Sequence, residues 1–330
     1  MKFGAVPLRD ALGATLAHSM PGATGRVPKG TVLAPAHLDD LAAAGHHSLV
    51  VARIESGDVA EDHAAATLAQ AIVPDPAGQG LRITGAGAGR VNLYAKAPGV
   101  VGVDADAVAR INAVHPMITL ATVPPFHRVD PGTMVATIKI IAYAVRAADL
   151  AQAASHAAGA LRIAPPQITT ATLIESQVGP DTPPDKGRRA MAGRLDRMGM
   201  TLGPRVLVPH RTRDLAQAVR AAEGEMILIL TASATSDPAD VAPEALRHAG
   251  GTVTAYGMPV DPGNLLFFGH LGARPVIGLP GCARSPALNG ADWVFERLVC
   301  GIPLGQADIS AMGVGGLLKE IPTRPRPRAT

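Results

Sequence analysis

The stretch Thr231-Ala-Ser-Ala-Thr-Ser-Asp-Pro-Ala-Asp240 concentrates the groups best suited to hold a small ligand. It follows the apolar run Met226–Leu230 and precedes Pro243-Glu-Ala-Leu246, which reads as the first turn of a helix. At such a strand end the hydroxyls of Thr231, Ser233 and Thr235, with the small Ala232 between them, leave backbone N–H groups open to a phosphate. Asp237 and Asp240 add carboxylates. A carboxylate there accepts two hydrogen bonds from an amino-pyrimidinone edge or ligates a divalent cation such as Mg²⁺. The competing reading of Asp240 is a plain helix cap, a role aspartate fills well.

A second loop, Gly278-Leu-Pro-Gly-Cys-Ala-Arg-Ser-Pro286, also joins a strand to a helix. Gly278, Pro280 and Gly281 permit close backbone approach, and Arg284 has the geometry to pair a phosphate bidentately. Ser285 is placed either to cap a helix starting at Pro286 or to bind an oxyanion. Cys282 has no histidine and carboxylate around it in sequence and reads as an inert or conditionally reactive thiol rather than a nucleophile. Asp185-Lys-Gly187, at a helix start after a Pro-rich loop, is a candidate pocket rim, whereas Val260-Asp-Pro-Gly-Asn264 reads as a turn. Gly85-Ala-Gly-Ala-Gly89 is rejected as a dinucleotide fingerprint, because its third glycine is misplaced and a strand follows it.

The elements that must position these loops alternate from Gln167 onward. Strands are expected at 168–175, 205–208, 226–230, 252–256 and 275–279, and helices at 187–198, 213–222, 243–249 and 286–300. The fold class this predicts is α/β, a three-layer α/β/α arrangement on a mostly parallel sheet over residues 160–310. A smaller β-rich α+β region precedes it over 1–159, with a break at Val73–Gly80 that would leave two parts, 1–74 and 81–145, and a bridging helix 147–158. Strands are expected there at 29–33, 48–53, 90–96, 100–103, 118–123 and 134–145, and helices at 37–44, 58–71 and 106–114. Residues 311–330 read as a mobile tail carrying Arg324-Pro-Arg-Pro-Arg328.

Bulk properties narrow the function classes. Of 330 residues 47% are hydrophobic and only 3% aromatic, which argues against base-stacking nucleic-acid platforms. The net charge of +3 eases approach of an anion and implies no more. Two cysteines without CxxC spacing, no apolar leader and no run near the ~20 apolar residues of a membrane span predict a cytoplasmic, soluble protein. The 11 histidines show no metal-ligand spacing.

Four stretches, Asp185-Lys-Gly187, Leu207-Val-Pro-His210, Thr231 through Pro243 and Gly278-Leu-Pro-Gly281, resemble the molybdopterin-binding domain of molybdopterin adenylyltransferases and molybdenum insertases. The likeness runs from about Gln167 to Gly301, and the whole chain is similar to an α-proteobacterial group of molybdopterin-binding proteins. It implies molybdopterin as ligand or substrate and Asp240 as the functional aspartate. It further implies Mg²⁺ or molybdate as possible companions, homo-oligomerisation, and a nucleotidyltransferase or molybdoenzyme client as partner. Three departures matter. Thr231-Ala-Ser233 replaces Thr-Gly-Gly, and His210, a candidate catalytic residue, stands where adenylylating members carry aspartate. Asp261-Pro-Gly-Asn264 replaces Lys-Pro-Gly-Lys, so that a carboxylate would oppose a molybdate dianion. The leading expectation is a molybdenum-cofactor biosynthesis protein, of molybdenumtransferase type if it is an enzyme. The alternatives are a non-catalytic carrier of the cofactor and, last, a nucleotide pyrophosphatase of the related competence-damage type.

Overall fold

A computed structural model describes residues 1–318, so the Arg324–Arg328 arginines lie outside the described residues. The chain is a mixed α/β protein that divides into two compact units. The first comprises Met1–Ala97 with Val101–Ile163, and the second Pro98–Val100 with the chain from Ala164 onward.

The first unit contains two separate cores. One gathers Ala11, Leu16, Leu33, Leu41, Leu49 and Val51. It lies against the antiparallel pair Lys2–Pro7 and Ser48–Arg53, in which Lys2 faces Arg53. Residues 29–33 supply only an isolated bridge from Val32 to Thr15 rather than a strand, and the pairing nearby is Met20–Pro21 with Arg26–Val27. The other core unites Leu68, Ile72, Leu93, Ile111, Ile138 and Leu150. Its four-stranded antiparallel sheet runs Ile118–Thr122, Met134–Ile140, Arg90–Ala95, Leu81–Ile83.

Two expectations shift in this unit. The strand foreseen at 134–145 is two strands, Met134–Ile140 and Ala144–Arg146. The second pairs with Asp58–Ala60, which draws those residues out of the expected helix, and the helix starts at Glu61. The loop Val73–Gly80 lies inside one core: Ile72 and Leu81 on its two sides are both fully buried there. The Gln79 amide ties it down by donating to the Ile72 and Leu161 carbonyls, each at 2.8 Å.

The second unit is built on a seven-stranded sheet. Strand Thr170–Gln177 takes Thr201–Leu202 and Val206–Pro209 in succession along one side and Met226–Leu230 on the other. Beyond lie Arg274–Leu279, Phe267–Leu271 and Thr252–Tyr256. The first four pairings are parallel, and Phe267–Leu271 runs antiparallel to both neighbours. Gly272, at φ +59°, makes the tight hairpin from Leu271 to Arg274.

Alternation along the central strand explains its cover. Met226, Leu228 and Leu230 join Met191, Leu195, Val294 and Phe295 in one core. Ile227 and Ile229 join Leu215, Val219, Ala245 and Leu246 in another. Helices Lys186–Asp196 and Gly290–Val299 thus pack on one face, and Thr212–Ala221 and Val241–His248 on the other. The last large helix begins at Gly290, four residues after Pro286. Segment 281–284 forms a short 3₁₀ turn first, and Asn289 rather than Ser285 caps the helix by accepting from Ala291 N at 2.8 Å. Residues 316–318 hold to Asp261: Gly316 O accepts from Asp261 N at 2.8 Å, and Leu318 N donates to Asp261 O at 2.9 Å.

Candidate functional site

Register places the loops of interest on one edge. Val206, Ile174, Ile229, Gly278, Phe267 and Tyr256 are paired in a single row across the sheet. The segments that leave just beyond this row are 178–185, 210–211, 231–240, 257–266 and 280–289. They therefore share the edge at which the parallel strands end, where ligands bind in open α/β sheets. Gly278 is required by contact: a Cβ there would sit 1.8 Å from the Phe267 ring.

The two tips singled out in sequence meet. Arg284 Nη2 donates to Thr231 O at 2.7 Å, joining the 281–289 loop to the 231–240 loop. Gly187 lies beneath this bridge, since a Cβ on it would stand 2.7 Å from Leu230 Cδ2 and 3.2 Å from Arg284 Nη1. Asp185 is exposed and turned to arginines instead, 3.3 Å from Arg189 Nη1 and 4.0 Å from Arg205 Nη1.

Within the 231–240 loop several groups are already committed. The Thr231 hydroxyl donates to Ser233 O at 2.6 Å, and Ala232 N donates to Ser176 Oγ at 2.9 Å. Asp240 accepts from Val241 N at 2.6 Å on one oxygen and from Ser236 N at 2.9 Å on the other. Its carboxylate is thus both the cap of helix Val241–His248 and the clasp of its own loop. Asp237 accepts from Ala239 N at 2.7 Å. What stays open is the backbone between these ties. The N–H groups of Ser233, Ala234 and Thr235 have no acceptor among the described residues. Three successive N–H groups at a strand end are thus left to water or to an oxyanion.

Tyr256 borders the acidic side of this loop. Its hydroxyl donates to Thr235 O at 2.9 Å, and its pKa is raised by burial first and then by Asp237 and Asp240. The donor side is formed by Ser176 and His210, with Ser176 Oγ 2.8 Å from His210 Nδ1. The loop thus has a lip of carboxylates and a lip of donors.

A Mg²⁺ at Asp240 would find few protein ligands. Among the described residues no group of three or more His, Cys, Asp or Glu side chains could hold a metal ion. An ion there would be held by Asp240 together with water and a ligand's own phosphate, the usual habit of Mg²⁺.

The residues that hold the site in shape were largely missed in sequence. Arg194, 2% exposed, satisfies all of its N–H groups. It donates to Asp292 Oδ1 at 2.6 Å and Oδ2 at 3.4 Å, and to the carbonyls of Ala283, Ala287 and Ala190 at 2.9, 3.0 and 3.4 Å. It thereby pins the 281–289 loop to helix Lys186–Asp196. Its signal was present: it falls on the apolar stripe with Gly187, Ala190 and Met191. Glu175, 1% exposed, holds Arg205 at 2.8 Å, and Arg205 donates to Pro183 O at 2.8 Å, fixing the 178–185 loop. Ser285 Oγ accepts from Ala287 N at 3.3 Å within its own turn. A separate cavity of about 380 Å³, lined by Thr170, Thr172, Gly203 and Ala218 among others, lies near the strand starts.

Residues 168–298 match a protein-family model described as "Probable molybdopterin binding domain". Residues 5–53 match a "Domain of unknown function (DUF8806)", a span that coincides with the first core of the N-terminal unit. No curated protein matches the chain. Similar solved structures include the molybdopterin biosynthesis moea protein from Pyrococcus horikosii. It is 12% identical, with 91% of this chain and 75% of that chain covered at a TM-score of 0.33. Another is Molybdenum cofactor biosynthesis protein B, 14% identical, with 41% of this chain and 96% of that chain covered at a TM-score of 0.31. At these scores no residue's role is transferred from either. No described helix is long and apolar enough to cross a membrane.

Proposed function

We propose that the second unit binds molybdopterin, or its nucleotide form, and that the chain acts in molybdenum-cofactor biosynthesis. The observation that carries this reading is the run of unpaired N–H groups at Ser233, Ala234 and Thr235, inside the segment matched by the molybdopterin-binding family model. The phosphate end of the ligand sits on that run. Arg284, already bridging the two loops, supplies its remaining N–H groups from the other side. The pterin edge, rich in donors, is read by the lip that carries Asp237 and Asp240.

The test is a fluorescence titration with 6-hydroxymethylpterin and with its phosphate monoester. The phosphorylated form binds at least tenfold more tightly, and Arg284→Ala removes most of that difference. Equal binding of the two forms, or binding of neither, overturns the reading.

A second reading, that of a carrier without turnover, is favoured by one observation. The turn Asp261–Asn264 packs on the start of helix Gly290–Val299, with Gly290 N donating to Pro262 O at 2.8 Å, and it carries no lysine. The cations that the resemblance would place beside molybdate are absent from this turn. Purified protein incubated with adenylylated pterin and molybdate separates the two readings: release of AMP assigns an enzyme, and tight binding without release a carrier.

A further inference from the structure

Ser176 belongs to none of the motifs legible in sequence, yet it links the 231–240 loop to His210. It is 1% exposed, and its hydroxyl oxygen accepts from Ala232 N at 2.9 Å. The hydroxyl proton then needs an acceptor, because an unsatisfied buried donor costs about 1–3 kcal/mol. The remaining neighbour within reach is His210 Nδ1 at 2.8 Å. Were Nδ1 to carry the imidazole proton, it would donate to the second lone pair of Ser176 Oγ and the hydroxyl proton would be stranded. The geometry therefore selects the tautomer in which Ser176 donates to Nδ1 and the proton of the neutral ring resides on Nε2.

Nε2 is on the far side of the ring from Ser176, and no described residue accepts from it. His210 is half-buried, so the ring remains accessible. From Ala232, the next residues along the chain are the unpaired N–H groups of Ser233 to Thr235.

We propose that Ala232 N–H, Ser176 and His210 form a relay that holds His210 Nε2–H as a donor to the ligand's oxyanion, with Ser176 as its positioning residue. This rests on the reading of the edge as an oxyanion site and deepens it by naming the group that selects the ligand. A carboxylate at this position would repel a phosphate unless a cation lay between them. An N–H donor binds the oxyanion directly.

The test has two independent readouts on the full-length protein. A long-range ¹H–¹⁵N correlation spectrum reports the His210 tautomer. The expected result is Nε2–H in the parent protein and a mixture of both tautomers in Ser176→Ala. Calorimetric titration with inorganic pyrophosphate reports the donor: His210→Leu weakens binding at least tenfold, whereas His210→Gln, which keeps an N–H near the Nε2 position, restores most of it. Thermal unfolding confirms that each variant is folded.

An Nδ1–H tautomer in the parent protein overturns the relay. Pyrophosphate binding that is absent in the parent, or unchanged in His210→Leu, overturns the donor role. Failure of the pterin reading is seen separately, as a phosphorylated pterin that binds no better than its alcohol while the tautomer and pyrophosphate results stand.

Discussion

The two loops that meet through Arg284 are held in opposite ways. The 231–240 loop is closed by its own residues, with Asp240 accepting from Ser236 and Val241. The 281–289 loop is closed from a distance, by Arg194, which reaches it across 89 and 93 positions of sequence to Ala283 and Ala287. A locally closed loop keeps its shape as long as its own turn survives. A loop hung on a buried guanidinium depends on the packing of a helix elsewhere. In the proposed reading the first loop offers its backbone N–H groups to the phosphate, and the second brings Arg284 to the same place on a mechanical link to the core.

The difference is broken most severely at Arg194. Arg194→Ala leaves Asp292, 3% exposed on its side chain, without its main cationic partner and three loop and helix carbonyls without their donor. A loss of about 3–5 kcal/mol is expected, measured as a shift in the urea midpoint at constant slope. Arg194→Met combined with Asp292→Leu should recover much of it, since the uncompensated charge is gone. If Arg194→Ala alone is neutral, the distal closure is not what holds the loop.

Asp240→Ala is the matching change on the local side. It removes a cap and the tie to Ser236 N, with an expected cost of about 1–2 kcal/mol by thermal unfolding. It also loosens the N–H run at 233–235, so the phosphate preference of a pterin titration should fall together with stability. Asp240→Asn, which keeps one acceptor oxygen, should recover part of both. A full loss of binding with unchanged stability would make Asp240 a pure ligand contact and void the clasp.

Gly187→Ala probes the joint between the loops. The added methyl meets Leu230 Cδ2 at 2.7 Å and Arg284 Nη1 at 3.2 Å. Both are ends of flexible side chains, so roughly 1–3 kcal/mol is expected, with Arg284 displaced from Thr231. Weakened pyrophosphate binding with an intact fold, judged by calorimetry beside circular dichroism, is the outcome that fits.

The smallest effect is at Cys300, whose thiol is pushed up to about 12 by burial. Because the folded pKa lies above the unfolded one, this thiol's contribution is complete below about pH 8.5 and is lost as pH rises toward 12. Cys300→Ser should flatten the alkaline limb of stability between those limits. In the native protein at pH 8, iodoacetamide should leave Cys300 unmodified, and rapid alkylation there would show that the burial is not maintained.

The same contrast explains how much of the molecule was legible from sequence. The central strand and the loop that follows it were, because a run such as Met226–Leu230 followed by small hydroxyl residues and the Pro243 helix signal is a local pattern. The local reading of Asp240 as a cap was likewise available, and the carboxylate does occupy that position. Arg194, Glu175 and Ser176 were not, since each is defined by a partner at least 30 residues away. Arg194 alone gave a hint, a charge on the apolar face of its helix. Helix 286–300 was extended too far upstream because Ser285-Pro286 imitates a helix start. The 3₁₀ turn at 281–284 and the cap at Asn289 move the true start to Gly290.

Gly278 lies face to face with Phe267, whose ring fills the space a side chain at 278 would need. Evolutionary change at these two positions is consequently chained together. A residue larger than glycine becomes tolerable at 278 only in a lineage that has first shrunk the aromatic at 267, and a survey of sequences related to this chain should find the two sizes varying inversely.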